Sequence, residues 1–466
     1  MSEIKFFLPY SEQTSLHSTS AELSELLTQD LDFHSEDSGY ASHNFHSFPA
    51  KFPPQLPRHF IEAITKPGDV VLDPMQGSGT TILEALLTGR QAIGIDIDPL
   101  ALLITSVKTT PLEPNLVLQT SKDILYNATA AYGDRTKTLL RTLESCWDTE
   151  TREFIDYWFD TDTQLALMAL ILEIVKIDDL ALKNFFKLAV SAIVITKTGG
   201  VSLALDLAHT RPHRAKLIYR ESGEILEGLE YLEKPTKNIK YATKYLRSPF
   251  NEFEKRVENN VKGLLSSRDV TYRAKVIFSN AERLPLPDNS IDLIVTSPPY
   301  ASNAIDYMRA HKFSLVWLGI PIQELSIKRG EYIGGEMLRN VEFQKLPDYT
   351  ANVVSEISTL DHIKGQVLRR YYSEMTRVLQ EMFRVLKPYK SSIVVVGNSI
   401  MRGRDTETQN CLADIGRSLG FEVPRIGVRN LDRNRRMLPT GQEINRDSQI
   451  QQRMHLEYVI VFYKPV

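Results

Sequence analysis

The stretch Asp292-Leu-Ile-Val-Thr-Ser-Pro-Pro-Tyr300 begins as a buried strand and ends in groups that a strand does not need. Ile291, Leu293, Ile294 and Val295 form a short apolar run, and Pro298 and Pro299 then withhold two N–H donors, so the ladder stops there. A hydroxyl (Ser297), two rigid residues and an aromatic ring (Tyr300) are left together at the strand's carboxyl end. A second stretch, Asp73-Pro-Met-Gln-Gly-Ser-Gly-Thr-Thr81, also follows an apolar run. Gly77 and Gly79 remove side chains where the backbone must turn sharply or approach a ligand. Thr80 and Thr81 open a helix whose free N–H groups can hold an anionic group. About 20 residues on, Asp96 ends the next apolar run, where a carboxylate can accept from ribose hydroxyls. The loop is not a dinucleotide fingerprint, because Ile82 stands at the third glycine position, and not a phosphate loop, because no Lys precedes Thr80. Taken singly, each stretch also has a plain structural reading: a glycine turn of any α/β protein, and a rigid turn with a buried tyrosine.

Chemistry at two strand ends needs a sheet that brings those ends together. The segment Asp69–Pro74, the helix closed by Gly89 and the segment Gln91–Asp98 read as a βαβ unit of a parallel sheet. Alternation then stops. Residues 109–270 read as mostly helical, with helices expected over 153–177, 180–196 and 251–265, the last with Asn251 as its N-cap. Strand patterns return at 274–281, 291–299, 391–399, 421–430 and 456–464, with a helix over 365–386. The expectation is an α/β fold with seven strands and one large helical insertion. Residues 1–40 read as a polar, partly ordered tail, 41–108 with 271–466 as the main domain, and 109–270 as the insertion.

Composition narrows the classes. The chain has 466 residues, 42% hydrophobic and 24% charged, so a sizeable core needs no staples. Cys146 and Cys411 are its only cysteines, which argues against a disulfide framework or a cysteine-rich zinc site and suits a reducing cytoplasm. No charged leader precedes an apolar core, and no apolar run reaches the about 18 residues a membrane span needs; 165–177 comes nearest and reads as a buried helix. A net charge of −3 means that any surface facing nucleic acid is a local patch.

Together, Asp73–Thr81 and Thr296–Tyr300 resemble the two motifs of the DNA amino-methyltransferases, and the segment 46–61, His-Ser-Phe-Pro-Ala-Lys-Phe-Pro-Pro-Gln-Leu-Pro-Arg-His-Phe-Ile, is similar to the one that precedes the cofactor loop in that family. The resemblance covers about residues 43–105 and 272–307, and the later strands more loosely. It implies a Rossmann-like seven-stranded methyltransferase sheet, S-adenosylmethionine as cofactor, and methyl transfer to an exocyclic base amine. It assigns Lys51, Asp73, Pro74, Met75, Gly77, Gly79, Thr80, Asp96 and Asn280 to the cofactor, and Ser297, Pro298, Pro299 and Tyr300 to catalysis. Met75 departs from the family's usual Phe, and Asn280 stands in place of an acid, though its amide oxygen still accepts. The insertion between the second and third strands does not match the commonest placements of a target-recognition region.

The implied chemistry suits these residue types. An exocyclic amine is a poor nucleophile, so position and a local electrostatic pull on its hydrogens must come from the protein. The Ser297 hydroxyl and the Pro298 carbonyl can each accept one amine hydrogen, the prolines offer no competing N–H, and Tyr300 offers a face to an extruded base. Serine at the first motif position is associated in this family with N4 of cytosine, and Asp, a stronger acceptor, with N6 of adenine. The expected partner is double-stranded DNA, with a cognate restriction endonuclease a possible second partner, in a prokaryotic cytoplasm and without a membrane. Arg429, Arg433, Arg435 and Arg436 face one acid, Asp432, and offer phosphate forks or a solvated loop. His209, Arg211, His213, Arg214, Lys216 and Arg220 form a second basic stretch, in which a metal site is rejected for want of a third ligand. Phe313 and Trp317 read as core, and Gly334-Gly335 as a loop over the site. The competing readings are an N6-adenine enzyme, an RNA base methyltransferase of the same fold, and a silent nucleic-acid-binding protein.

Overall fold

A computed structural model describes residues 20–48, 51–196, 198–207, 212–233, 239–301, 306–335, 338, 341–397, 399–431 and 456–466. Its main sheet has seven strands: β1 (Val70–Asp73), β2 (Gln91–Asp96), β3 (Lys275–Phe278), β4 (Ile291–Thr296), β5 (Leu386–Gly397), β6 (Ile426–Asn430) and β7 (Leu456–Tyr463). They lie in the order β6-β7-β5-β4-β1-β2-β3. β3, β2, β1, β4 and β5 pair in parallel, and β7 runs antiparallel to both β5 and β6. Ladder switching occurs at β1, whose neighbours are β2 and β4, and the crevice above the carboxyl ends of such strands is where open α/β sheets bind ligands.

Alternation along the central strands sends side chains to both faces, and helices cover both. On one face, Val71, Leu293, Val295, Ile393, Val395, Val459 and Val461 meet Leu56, Phe60 and Ile61 of α1 (Gln55–Ile64) and Ile82, Ala85 and Leu86 of α2 (Thr80–Leu87). On the other, Leu72, Ile294, Val394, Val396, Ile460 and Phe462 meet the long helix α8 (His362–Val385) and α9 (Thr408–Ser418). α2 closes as expected: Gly89 has φ 76° and the N–H of Arg90 reaches back to the Ala85 carbonyl, a Schellman-type end. α3 (Pro99–Thr109) is started by Asp98, whose carboxylate accepts from the N–H groups of Leu100 and Ala101.

Residues 114–261 carry helices α4 (Pro114–Asp134), α5 (Thr161–Val175) and α6 (Leu180–Val194) among others, and α5, which holds most of the apolar run 165–177, is a largely buried helix. Among the described residues no helix is long and apolar enough to cross a membrane. This region is not helical throughout. A three-stranded sheet of Leu217–Tyr219, Ile225–Glu227 and Thr243–Tyr245 stands in it beside a two-stranded ribbon. The helix expected from Asn251 starts at Pro249, with the Ser248 hydroxyl accepting from the Asn251 N–H, so Ser248 is the cap. The insertion packs on α3 and on α7 (Tyr307–Leu315), where Phe313 and Trp317 are core as expected.

The stretch read as a polar, partly ordered tail contains a short helix, Ser20–Leu26, and Leu23, Leu27 and Leu31 are buried against β6 and β7. Leucines at a spacing of four make one apolar stripe there, which the surrounding Ser, Glu and Thr obscure in the sequence.

Candidate active site

Parallel pairing of β1 with β4, Val71 opposite Leu293 and Leu72 opposite Ile294, places the glycine loop and the proline turn side by side at the carboxyl ends of neighbouring central strands. Two hydrogen bonds join them. The Thr296 hydroxyl donates to Asp73 Oδ1 at 2.7 Å, and the Thr81 hydroxyl donates to the Val295 carbonyl at 3.2 Å. Asp73 Oδ1 also accepts from the Met75 N–H at 3.1 Å. Burial pushes the Asp73 carboxyl up to about 6, against the opposing pull of Thr296, Met75 and Thr81.

Asp96, at the end of β2, shapes the loop from the other side. One oxygen accepts from the Gly77 N–H and the other from the Asp98 N–H, both at 2.9 Å. Burial, and then the neighbouring Asp98 charge, push its carboxyl up to about 7. Gly77 has φ 47° and Gly79 φ 72°, left-handed conformations that suit glycine. A Cβ on Gly79 would come within 2.5 Å of the Thr105 hydroxyl, and one on Gly77 within 3.1 Å of the Phe48 ring. Gly79 is the N-cap of α2 with no side-chain cap, so the helix's first N–H groups face the loop. Pro74 and Thr80 are buried, Met75 is half-buried against the core, and the Thr80 hydroxyl bonds Ser78 Oγ at 3.1 Å.

Other residues brace this loop without any signal in the motifs. The fully buried Lys108 ammonium donates to the Ser78 carbonyl at 2.7 Å, and burial, then Lys51, hold it well below the ordinary lysine range. Glu84 on α2 accepts from the Tyr40 phenol at 2.8 Å and meets His43 at 2.7 Å, which ties the segment leading to Phe48 onto the loop's own helix. Phe48 stacks on Tyr307 with ring centroids 5.5 Å apart. His311 meets Asp98 at 2.5 Å, and no Nε2 partner of His311 is found among the described residues.

Lys51 is exposed and donates to the His43 carbonyl at 3.0 Å, beside the same loop segment. Asn280 lies just past β3, where the Ser279 N–H reaches the Asp96 carbonyl, but its own amide oxygen accepts from the Glu282 N–H at 2.9 Å in an exposed turn. Pro298 is buried and Ser297 and Pro299 are half-buried. The Tyr300 phenol donates to Glu457 Oε1 at 2.8 Å, and burial and that carboxylate raise its pKa far above the ordinary range.

The surfaces expected to face DNA change most. Arg429 is buried and donates to Glu457 Oε2 at 2.5 Å, so it is part of the fold and not of a basic patch. Arg433, Arg435, Arg436 and Asp432 lie outside the described residues, as do His209 and Arg211. Arg214 pairs with Glu227 through both terminal nitrogens, and Arg220 pairs with Asp162. The Gly334-Gly335 loop is held in place: the Gly334 N–H donates to Glu374 Oε2 at 2.8 Å, and Arg370 pairs with the same carboxylate. An apolar cavity lined by Trp147, Met168, Val190 and Trp317 lies between the insertion and the segment that follows α7, and shares no residue with either motif.

A cofactor with a cationic centre and a ribose fits this donor set. Asp73 and Asp96 are buried carboxylates with no basic partner among the described residues, and a nearby cation would favour their ionised forms. Asp96 retains lone pairs beyond the two N–H bonds it accepts. Gln76 is 4% exposed, with neither amide atom partnered among the described residues.

Residues 9–105 match the DNA methylase family model of the N6/N4 type. The chain is 27% identical over 398 residues to the type II methyltransferase M.MvaI of Kocuria varians, covering 80% of each chain. It is 24% identical over 446 residues to the type II methyltransferase M.BsoBI of Geobacillus stearothermophilus, covering 87% of this chain and 83% of that one. Among solved structures, a TehB-like SAM-dependent methyltransferase from Corynebacterium glutamicum aligns over 88% of this chain and 86% of its own, at 8% identity and a TM-score of 0.28.

Proposed function

We infer that this chain, a member of the DNA amino-methyltransferase family, is a DNA methyltransferase that uses S-adenosylmethionine, and that its target is N4 of cytosine. The observation that carries the reading is the Thr296–Asp73 hydrogen bond, 2.7 Å, which joins the cofactor loop to the proline turn at adjacent strand ends. S-adenosylmethionine supplies an electrophilic methyl group when bound. Its binding falls to the loop of Asp73 to Thr80, with Asp96 toward the ribose, Lys51 beside the segment that carries Phe48, and Asn280 past β3.

The protein's own part in the reaction is placement and polarisation. Ser297 Oγ and the Pro298 carbonyl accept the two hydrogens of the target amine and draw electron density onto its nitrogen. A base inside a duplex cannot reach a strand end, so the reaction proceeds on an extruded base, stacked on Tyr300. Serine in place of a carboxylate at position 297 supports cytosine over adenine, because the weaker acceptor suits the amine expected of this motif variant. The similarity to type II methyltransferases supports a restriction–modification setting with a cognate endonuclease.

Expression in a host that lacks DNA methylation, followed by genome-wide mapping that separates N4-methylcytosine from N6-methyladenine, tests this. N4-methylcytosine at one short sequence is the expected result. N6-methyladenine would overturn the base assignment, and unmethylated DNA with methylated RNA would overturn the substrate class.

A further inference from the structure

Tyr300 is anchored by residues that no motif contains. Gly397 of β5, Glu457 of β7 and Arg429 of β6 stand in one row across the sheet, Gly397 opposite Glu457 and Glu457 opposite Arg429. Facing positions in a ladder present their side chains on the same side. Gly397 leaves a bay in that row, and the Tyr300 ring occupies it: a Cβ on Gly397 would come within 2.7 Å of the ring. Glu457 then takes the Tyr300 phenol on Oε1 at 2.8 Å and Arg429 on Oε2 at 2.5 Å. Arg429 is tied in turn to the Leu31 carbonyl at 3.0 Å and the Asp32 carbonyl at 3.3 Å. A carboxylate is a stronger acceptor than a neutral group, and the Arg429 guanidinium beside it supplies the opposite charge.

We propose that Glu457 is a positioning residue for methyl transfer: through the phenol of Tyr300 it sets the ring in the bay left by Gly397, and so sets the surface on which the target base stacks, with Arg429 as its counter-ion. The proposal rests on Tyr300 being the base-stacking residue of a DNA amino-methyltransferase. A purely structural Glu457 would only join β6 to β7. A positioning Glu457 also acts on turnover, and only through the tyrosine hydroxyl.

The test compares wild type with Tyr300→Phe, Glu457→Gln and the double variant. It measures kcat and KM for DNA, cofactor Kd, the melting temperature, and the fluorescence of 2-aminopurine placed at the target position. Loss of one hydrogen bond to a charged acceptor predicts that each single variant lowers kcat about tenfold, with cofactor Kd within about twofold. The double variant is expected to be no slower than the slower single one, since both remove the same contact. Glu457→Gln leaves Arg429 with a neutral partner and is expected to melt lower; Tyr300→Phe leaves the Glu457–Arg429 pair intact and decides the matter if Glu457→Gln does not fold. Wild-type kcat in Tyr300→Phe, or kcat losses that multiply in the double variant, would overturn the proposal while leaving the enzyme reading intact. Failure of the wild-type protein to methylate any DNA amine would overturn both.

Discussion

Ser297 and Asp96 carry opposite demands on their surroundings. In the proposed reaction Ser297 accepts from an amine, which requires it to be reachable at the strand end, and the residue is half-buried there. Ser297→Ala removes one of two acceptors and is expected to lower kcat at least tenfold, about the worth of one well-placed hydrogen bond, while cofactor affinity changes less than about twofold. Steady-state kinetics beside calorimetric titration with S-adenosylmethionine checks this. Asp96 is buried and its carboxyl is pushed up to about 7, and that of Asp73 to about 6, from ordinary values of 3.8. The unfolded chain releases these protons near pH 4 while the folded one keeps them. Both groups therefore cost the free protein stability as pH rises from about 4 to about 7. A cofactor that needs the ionised carboxylates gains affinity over the upper part of that window. Thermal melts are expected to show a larger stabilisation by S-adenosylmethionine at about pH 7.5 than at about pH 5.5, and Asp96→Asn is expected to flatten the difference.

At the scale of elements, the glycine loop works because it is pinned on every side: Asp73 and Asp96 below, Lys108 at the Ser78 carbonyl, Thr105 against Gly79, Phe48 against Gly77. Gly79→Ala places a methyl group in a left-handed residue and against Thr105, at a cost of about 2 kcal/mol. It is expected to lower the melting temperature and to weaken cofactor binding together, measured by calorimetry with and without cofactor. The seven strands were legible in the sequence because most carry a short apolar run bounded by turn residues, and β6, Ile-Gly-Val-Arg-Asn, alternates instead. The two loops were legible because glycine and proline have strong backbone consequences. Glu457 was not, since nothing local separates it from any other polar residue at the start of a strand, and its partner Tyr300 lies far away in the chain. Arg429 was misjudged for the same reason: charge density was visible, but the Glu457 beneath it was not. The small sheet around Leu217–Tyr219 escaped because strands of three residues carry no period.

For the whole molecule, residues 20–34 matter more than their composition suggests. Leu27 is 4% exposed and, with Leu31, lies against Gly427 of β6, while Asp32 accepts from the Asn430 backbone N–H at 2.6 Å. Leu27→Ala is expected to cost about 2–4 kcal/mol, as deletion of a buried leucine does, seen as a lower denaturant midpoint with an unchanged slope. The insertion, by contrast, sits on α3 and α7 and away from β6 and β7, so Leu27→Ala should leave its own packing, followed by the fluorescence of Trp147 and Trp317, unchanged until global unfolding.

The place of β7 between β5 and β6 also dictates a history. β6 is made before β7 and, among the described residues, pairs with no other strand of the main sheet, so the edge that receives Leu27 and Leu31 has nothing to dock on until the later strand has wedged in. The contact of residues 27–32 with β6 closes a very long loop and is slow to form. The nascent protein thus passes through a stage in which Arg429 lacks its carboxylate partner and Tyr300 is untethered, and the arrival of a single strand ends that stage.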